Sequence, residues 1–165
     1  MHQDKMALTF TKRLLIVGLL SCSSFSLLAA NSSVHNYSEM DVVKALEDNE
    51  VVLAKEVFSR LNKAQQNGLT GQVLTSRILF REEKTEQSYD LLEQLKDDHN
   101  DNDEVSYYFG RSAIVMAQKA SIFSKLSYAS DALEAWEHTL SLNPKHIKAL
   151  EGLIGFHIGD RCNFI

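Results

Sequence analysis

Apolar residues recur three and four positions apart along most of the chain after residue 35, which is the spacing of one face of an α-helix. Ser38 followed by Asp41 has the form of a capping box, in which a hydroxyl and a carboxylate satisfy free amides at a helix start. We find no convincing strand pattern. The apolar faces predict seven helices, marked in turn by Val42, Val51, Leu74, Leu92, Phe109, Trp136 and Leu153.

Three polar signals predict helix boundaries. The pair Asn67-Gly68 is expected to end the second helix, because glycine and asparagine favour helix C-termini. The tract 97–103 (DDHNDND) is expected to be a solvated connection that caps the fifth helix. Pro144 is expected to open the seventh helix, where its missing N–H would have had no partner. Short connections would make consecutive helices antiparallel pairs.

The helical pattern has a repeat period of about 34 residues, an interval typical of helix–turn–helix units. Val42, Ser76 and Gly110 are spaced by this interval, on the first helix of successive pairs. On the second helices, the step from Ser88 to Ala132 is longer than the period, so an insertion must lie between Gly110 and Ala132. A four-helix bundle would explain the apolar faces but not the period, which favours a helical repeat protein.

Two segments resemble tetratricopeptide repeats. Residues 107–113 (YYFGRSA) are similar to the family's aromatic-x-Leu-Gly-x-Ala segment, and Ala132, Trp136 and Pro144 are similar to the end of one repeat and its junction with the next. Small residues such as Gly110 would lie where paired helices approach, and Trp136 would fill the gap to the next pair. The earliest unit departs from the family at Asp41, where an apolar residue is typical.

The resemblance implies an all-α, tetratricopeptide-like solenoid of antiparallel helix pairs, with about three repeats plus one half repeat. Its expected units are 35–68, 69–102, 103–146 with the insertion, and a partial unit over 147–159. Within the insertion, 120–124 (ASIFS) resembles a stretch found in a subgroup of bacterial secreted repeat proteins. There Ile122 and Phe123 either cap the lengthened helix pair or form an exposed apolar patch for a partner.

The first thirty residues have the pattern of a secretory signal. Lys5, Lys12 and Arg13 precede an apolar stretch that ends in small residues before Asn31. Serines interrupt the apolar stretch, which is therefore poorly suited to span a membrane. We expect a signal peptide over 1–30, a helical repeat domain over 31–165, and export to the periplasm.

Cys22 provides an alternative N-terminus. It follows Leu-Leu-Ser in a context that resembles a bacterial lipobox, so its acylation would tether the protein to a membrane as a lipoprotein. An uncleaved apolar anchor is the third alternative, and a cytosolic protein without a signal is the fourth. At the other end, residues 160–165 continue no repeat pattern. We therefore expect a repeat array that has been cut short, unless the apolar face of the seventh helix packs on a partner.

Composition and motifs favour a noncatalytic protein. The chain has 22 acidic and 17 basic residues, a net charge of -5 and no basic run, so a nucleic-acid partner is not expected. It has no glycine-rich phosphate loop, no Gly-x-Ser-x-Gly, no His-Glu-x-x-His and no two histidines four apart. We expect no catalytic residue, metal or other cofactor, and we find no small-molecule substrate site.

The family resemblance implies that a protein or peptide binds on the concave surface lined by the first helix of each pair. The matching positions here are Tyr107, Arg111 and Ile114, and Arg111 would pair with a carboxylate unless it is an ordinary exposed charge. The leading hypothesis is a scaffold or adaptor of the bacterial cell envelope. The alternatives are a lipid-anchored envelope assembly factor and the helical arm of an enzyme whose catalytic part lies elsewhere.

Overall fold

The computed structural model describes residues 36–162, with side chains described as far as residue 159. This part of the chain is helical and contains no strand, which confirms the expected all-α class. The predicted signal over 1–30 and Cys22 lie outside the described residues. The helices are α1 (Glu39–Glu47), α2 (Val51–Arg60), α3 (Lys63–Asn67), α4 (Leu69–Arg81), α5 (Thr85–Asp98), α6 (Asp103–Lys119), α7 (Ile122–Leu142) and α8 (Ile147–Cys162).

Two of the predicted helix starts are confirmed. The Asp41 carboxylate accepts a hydrogen bond from the Ser38 amide at 2.8 Å, and the Ser38 hydroxyl accepts one from the Asp41 amide at 3.4 Å. This is the expected capping box. Asn102, in the polar tract, caps α6 by accepting a hydrogen bond from the Val105 amide at 3.0 Å. The first two residues of that tract belong to α5 rather than to the connection.

The second helix ends earlier than predicted. It stops at Arg60, because Leu61 is extended and Asn62 starts the short α3 with its own capping box. The side-chain amide of Gln66 then donates to the carbonyls of Phe58 at 3.0 Å and Leu61 at 2.9 Å, which satisfies the open end of α2. Asn67-Gly68 thus ends α3, an eighth helix within the described part that the apolar pattern did not predict.

Pro144 does not open a helix as expected. It lies in the turn between α7 and α8, where the His146 amide donates to the Asn143 carbonyl at 3.0 Å. Pro144 thus occupies the second position of a four-residue turn, and the fixed φ of proline favours that position. Helix α8 begins at Ile147 because the His146 imidazole accepts a hydrogen bond from the Ala149 amide at 3.1 Å and thereby acts as the cap.

Neighbouring helices pack in pairs and in succession. Helix α1 packs on α2, α4 on α5, and α6 on α7, while α4 also contacts both α1 and α6. The buried apolar residues form two clusters. Leu74 and Ile78 of α4 belong to the cluster shared with α1 and α2, whereas Val73 belongs to the larger cluster that reaches Ala149 in α8. Helix α4 therefore contributes to both cores.

The repeat period is also present in the structure. Val42, Ser76 and Gly110 are all buried. Asn49 and Glu83, which are one repeat period apart, are the two non-glycine residues of the described part with a left-handed backbone, at φ of 62° and 64°. Both lie in the turn between the helices of a pair. These three positions thus share their burial, and the turns of the first two pairs share their geometry.

Trp136 holds α6, α7 and α8 together. It is 5% exposed, and a Cβ added at Gly110 would lie 2.8 Å from its indole Nε1 and 3.1 Å from the Ala132 carbonyl. A Cβ added at Gly152 of α8 would lie 2.9 Å from the indole ring carbons Cδ2 and Cε2. The predicted close approach at Gly110 is confirmed, and so is the predicted position of Trp136 against the next helix.

The insertion lengthens both helices of its pair. Helix α6 continues to Lys119, a short turn follows, and α7 begins at Ile122. Ile122, Phe123 and Leu126 are 75%, 91% and 77% exposed, respectively. Of the two expectations for Ile122 and Phe123, the structure therefore agrees with the exposed apolar patch and not with a cap over the pair.

The substitution Gly152→Ala is expected to lower the free energy of unfolding by about 1–3 kcal/mol, because its methyl group would overlap the Trp136 ring. The matched control is Gly155→Ala, which meets no atom within 4 Å and should stabilise α8 by up to about 1 kcal/mol. Denaturant titration followed by fluorescence of the single tryptophan measures both. Equal effects of the two substitutions would contradict the packing described for Trp136.

The substitution Glu83→Asn is expected to raise the free energy of unfolding by about 1 kcal/mol, because glutamate carries the steric cost of a left-handed backbone that asparagine tolerates better. Asn49 already occupies the equivalent turn. The converse change, Asn49→Glu, should lower stability, and it also removes the hydrogen bond from Arg81 at 2.7 Å. In thermal melts, the midpoint should be highest for Glu83→Asn, intermediate for the unsubstituted protein and lowest for Asn49→Glu. A less stable Glu83→Asn protein would refute the steric argument.

Candidate partner-binding face of α4 and α6

The three residues predicted to bind a partner all lie on α6, but in different surroundings. Tyr107 is 8% exposed, and its ring centroid lies 4.9 Å from that of Tyr108 and 4.6 Å from that of His146. Arg111 and Ile114 are half-buried. Most of the Tyr107 ring therefore packs against the protein itself, and only a small part of it is open to a partner.

Two arginines and two aromatic rings join α4 to α6. The guanidinium carbon of Arg111 on α6 lies 4.6 Å from the ring centroid of Phe80 on α4. Conversely, the guanidinium carbon of Arg77 on α4 lies 4.8 Å from the ring centroid of Tyr108 on α6. Each helix thus provides one cation and one ring. The four side chains define the surface that we call the arginine face.

The two guanidinium groups of the arginine face are in no ion pair with the described residues. Neither Arg77 nor Arg111 forms an ion pair with a carboxylate between residues 36 and 159. A guanidinium that stacks through its flat face keeps its N–H donors, which point outward in the plane of the group. This arrangement suits a carboxylate, which accepts two parallel N–H bonds from one guanidinium.

Charged residues surround the phenol groups at this face. Burial raises the pKa of the Tyr107 hydroxyl, while the positive charge of Arg111 opposes that rise and the charge of Glu104 adds to it. Burial also raises the pKa of Tyr108 to about 12. Both phenols are therefore neutral near pH 7, and the net charge of this surface comes from the guanidinium groups and nearby carboxylates.

Ile114 lies outside the arginine face. It lines an apolar groove of about 420 Å³ between α6, α7 and α8, together with Leu126, Trp136 and Phe156. Arg111 instead lines a narrow gap with Phe80 and the buried Ser88–Ser112 hydrogen bond of 3.0 Å. The structure thus brings Tyr107 and Arg111 into one charged neighbourhood but does not bring Ile114 into it.

Arg77 is the residue of this face that the sequence reasoning missed. It precedes Arg111 by one repeat period, so the interval that relates the buried positions also relates the two guanidinium groups. Phe80 likewise precedes Ile114 by one repeat period. Applying the period to polar as well as apolar positions would have identified Arg77 from the sequence.

The described residues contain no group of three or more histidine, cysteine, aspartate or glutamate side chains that could hold a metal ion. Over the same part of the chain, none of the helices combines the length and the apolar character needed to cross a membrane.

In comparisons with known proteins, no family model, no curated protein and no solved structure matches this chain.

The buried phenols predict a loss of stability at high pH. Tyr108 releases its proton near pH 10 in the unfolded chain, but its pKa is about 12 in the folded protein, so the unfolded state binds fewer protons between these values. The free energy of unfolding should therefore fall as the pH rises through this range. The Tyr108→Phe protein should lose less stability over the same range.

Ultraviolet absorbance of the phenolate and helical circular dichroism, recorded on the same samples, test this prediction. The difference in phenolate absorbance between the unsubstituted protein and Tyr108→Phe reports the ionisation of Tyr108. This difference should develop only as the helical signal is lost. Ionisation of that tyrosine near pH 10 with the helical signal intact would contradict its burial.

Proposed function

We propose that this protein is a noncatalytic, exported scaffold or adaptor that binds a peptide or protein through the arginine face. The observation that carries the proposal is the pair of guanidinium groups of Arg77 and Arg111, each held over an aromatic ring and neither in an ion pair with a described carboxylate. A partner that supplies carboxylates would complete this surface.

The proposed architecture is a tetratricopeptide-like solenoid. It is supported by the succession of contacts α1–α4–α6, which are the first helices of three pairs, and by the packing of α2 on α4, α5 on α6 and α7 on α8. It is further supported by the left-handed turns at Asn49 and Glu83, which lie one repeat period apart. In such an array the first helices line one continuous surface, on which Arg77 and Arg111 occupy the same position in successive units.

The proposed ligand is an acidic segment or a free C-terminal carboxylate. Arginine fixed on an aromatic ring loses little side-chain freedom when it binds, which favours affinity. Tyr107, which is mostly buried, would support the shape of the surface beside Arg111. Ile114 would contact only a partner that extends into the apolar groove of α6, α7 and α8.

The proposed location is the periplasm, reached through the signal pattern of residues 1–30. Mass spectrometry of the mature protein isolated from a bacterial envelope tests this proposal. We expect a free N-terminus near Asn31. An acylated Cys22 would instead establish the membrane-tethered alternative, and an intact Met1 would contradict cleavage.

Selection of a random-peptide phage library against the full chain tests the binding proposal. Enriched peptides should be rich in aspartate and glutamate. For a synthetic copy of an enriched peptide, Arg77→Gln with Arg111→Gln should weaken binding by about tenfold or more, because each lost charged hydrogen bond costs more than about 1 kcal/mol. The control is Arg60→Gln with Lys55→Gln on α2, which also removes two positive charges, from the ion pairs with Glu56 and Glu82.

Binding by the control should remain unchanged. The proposal fails if no peptide is enriched, or if the double substitution on the arginine face and the double substitution on α2 weaken binding equally. The second result would indicate attraction to overall charge rather than recognition at Arg77 and Arg111.

A further inference from the structure

We propose that the first two turns of α7 form a docking surface for a membrane that carries anionic lipids. Residues 121–127 are all exposed, although α7 packs on both α6 and α8 and buries Ala132 and Trp136 further along. A helix that packs on its neighbours normally buries one face. The start of α7 is therefore left largely uncovered by the other described helices, and it contains no residue of the arginine face.

The insertion places this surface at a projecting end. Helices α6 and α7 contain 17 and 21 residues, against 13 and 14 in α4 and α5. Leu69 and Asp103, which begin α4 and α6, are one repeat period apart, so the extra residues of α6 lie at its end. Leu142 ends α7 at the position equivalent to the end of α5, so the extra residues of α7 lie at its start. At about 1.5 Å per residue, the added length is about 6 Å in α6 and about 10 Å in α7.

The exposed turns have an apolar side and a polar side. At 3.6 residues per turn, Ile122 and Leu126 lie one turn apart with Phe123 beside them, whereas Ser124 and Ser127 lie on the other side. Single exposed apolar residues are common on protein surfaces. Three large ones that share one side of a projecting helix end form a patch of the kind that marks a protein or membrane contact.

Two unpaired lysines accompany this patch. Residues 105–130 contain no aspartate or glutamate, although the whole chain has a net charge of -5. Lys119 and Lys125 are exposed, and neither forms an ion pair with a carboxylate between residues 36 and 159. Lys119 donates one hydrogen bond to the Thr85 hydroxyl at 3.3 Å, so other donors of its ammonium group remain. The charge next to the patch is therefore complementary to lipid phosphates.

An anionic bilayer suits these features better than a protein does. Three side chains on two helical turns offer much less area than the roughly 800 Å² that each partner buries in a stable protein interface. A second copy that docked through the same patch would also bring two sets of lysines together, which like charges oppose. A bilayer instead attracts the lysines to its surface and accepts the apolar side chains below its headgroups.

Flotation of the full chain with lipid vesicles tests the proposal. We expect stronger binding to vesicles of equal parts phosphatidylglycerol and phosphatidylcholine than to phosphatidylcholine alone, and weaker binding as salt is added. Phe123→Ser should weaken binding by about tenfold or more, because a large apolar side chain is lost from the contact. The matched control is Val52→Ser on α2, which removes another side chain that is 83% exposed and should leave binding unchanged.

A second pair of substitutions tests the role of charge. Lys125→Gln should weaken binding to the anionic vesicles by about fivefold, the effect of one lysine near an anionic surface. The control is Lys145→Gln, which removes an exposed lysine just beyond the opposite end of α7. Equal weakening by the two substitutions would refute docking through the start of α7.

Quenching by brominated acyl chains locates the contact. Phe123→Trp adds an indole at the patch, and Leu142→Trp adds one at an exposed position at the other end of α7. Brominated anionic vesicles should quench the added fluorescence of Phe123→Trp and not that of Leu142→Trp. This difference decides even where residues 1–30 hold the chain on the vesicle and mask differences in affinity.

Two results of these experiments would overturn the proposal. One is the absence of binding to anionic vesicles, and the other is equal quenching of Phe123→Trp and Leu142→Trp. If vesicle binding is absent and sedimentation shows a dimer that Phe123→Ser dissociates, the patch belongs to an interface between copies of the chain instead.

Discussion

The packing of the last three described helices depends on the burial of one indole ring. Trp136 projects from α7 between Gly110 of α6 and Gly152 of α8, and neither helix has room for a Cβ at the contact. Burying a large apolar side chain contributes about 2–3 kcal/mol. This contribution requires that neither Gly110 nor Gly152 carries a side chain. The same contact fixes α6 relative to α7, and therefore positions Tyr107 and Arg111 on the candidate binding face.

The arginine face depends on a second, reciprocal contact. Arg77 stacks on Tyr108 and Arg111 on Phe80, so each helix orients a charge of the other. Each guanidinium carbon lies over a ring of the other helix, at 4.8 Å for Arg77 and 4.6 Å for Arg111, and this contact restricts both side chains. For the partner proposed above, part of the ordering cost of binding would therefore already be met in the free protein.

Much of the fold is predictable from the sequence because it repeats. The spacing of apolar residues predicts the helices, the repeat period predicts the place of the insertion, and the resemblance to tetratricopeptide repeats implies the close approach at Gly110. The errors arise at helix ends, where one side chain decides the outcome. Gln66 satisfies the carbonyls that end α2, and His146 rather than Pro144 determines where α8 starts. Arg77 was missed because the period was applied only to buried positions, although the same spacing relates it to Arg111.

The division of the interior into two clusters has a consequence for how stability is distributed. Within residues 36–159, α4 is the one helix that is shared, with Leu74 and Ile78 in one cluster and Val73 in the other. Opening of α1 and α2 exposes the smaller cluster while leaving the contacts around Trp136 intact. Amide protons of the first two helices then exchange with solvent through a partial opening, whereas those of α6 require a larger one. We therefore expect the two clusters to open as coupled units, with α4 as the element that belongs to both.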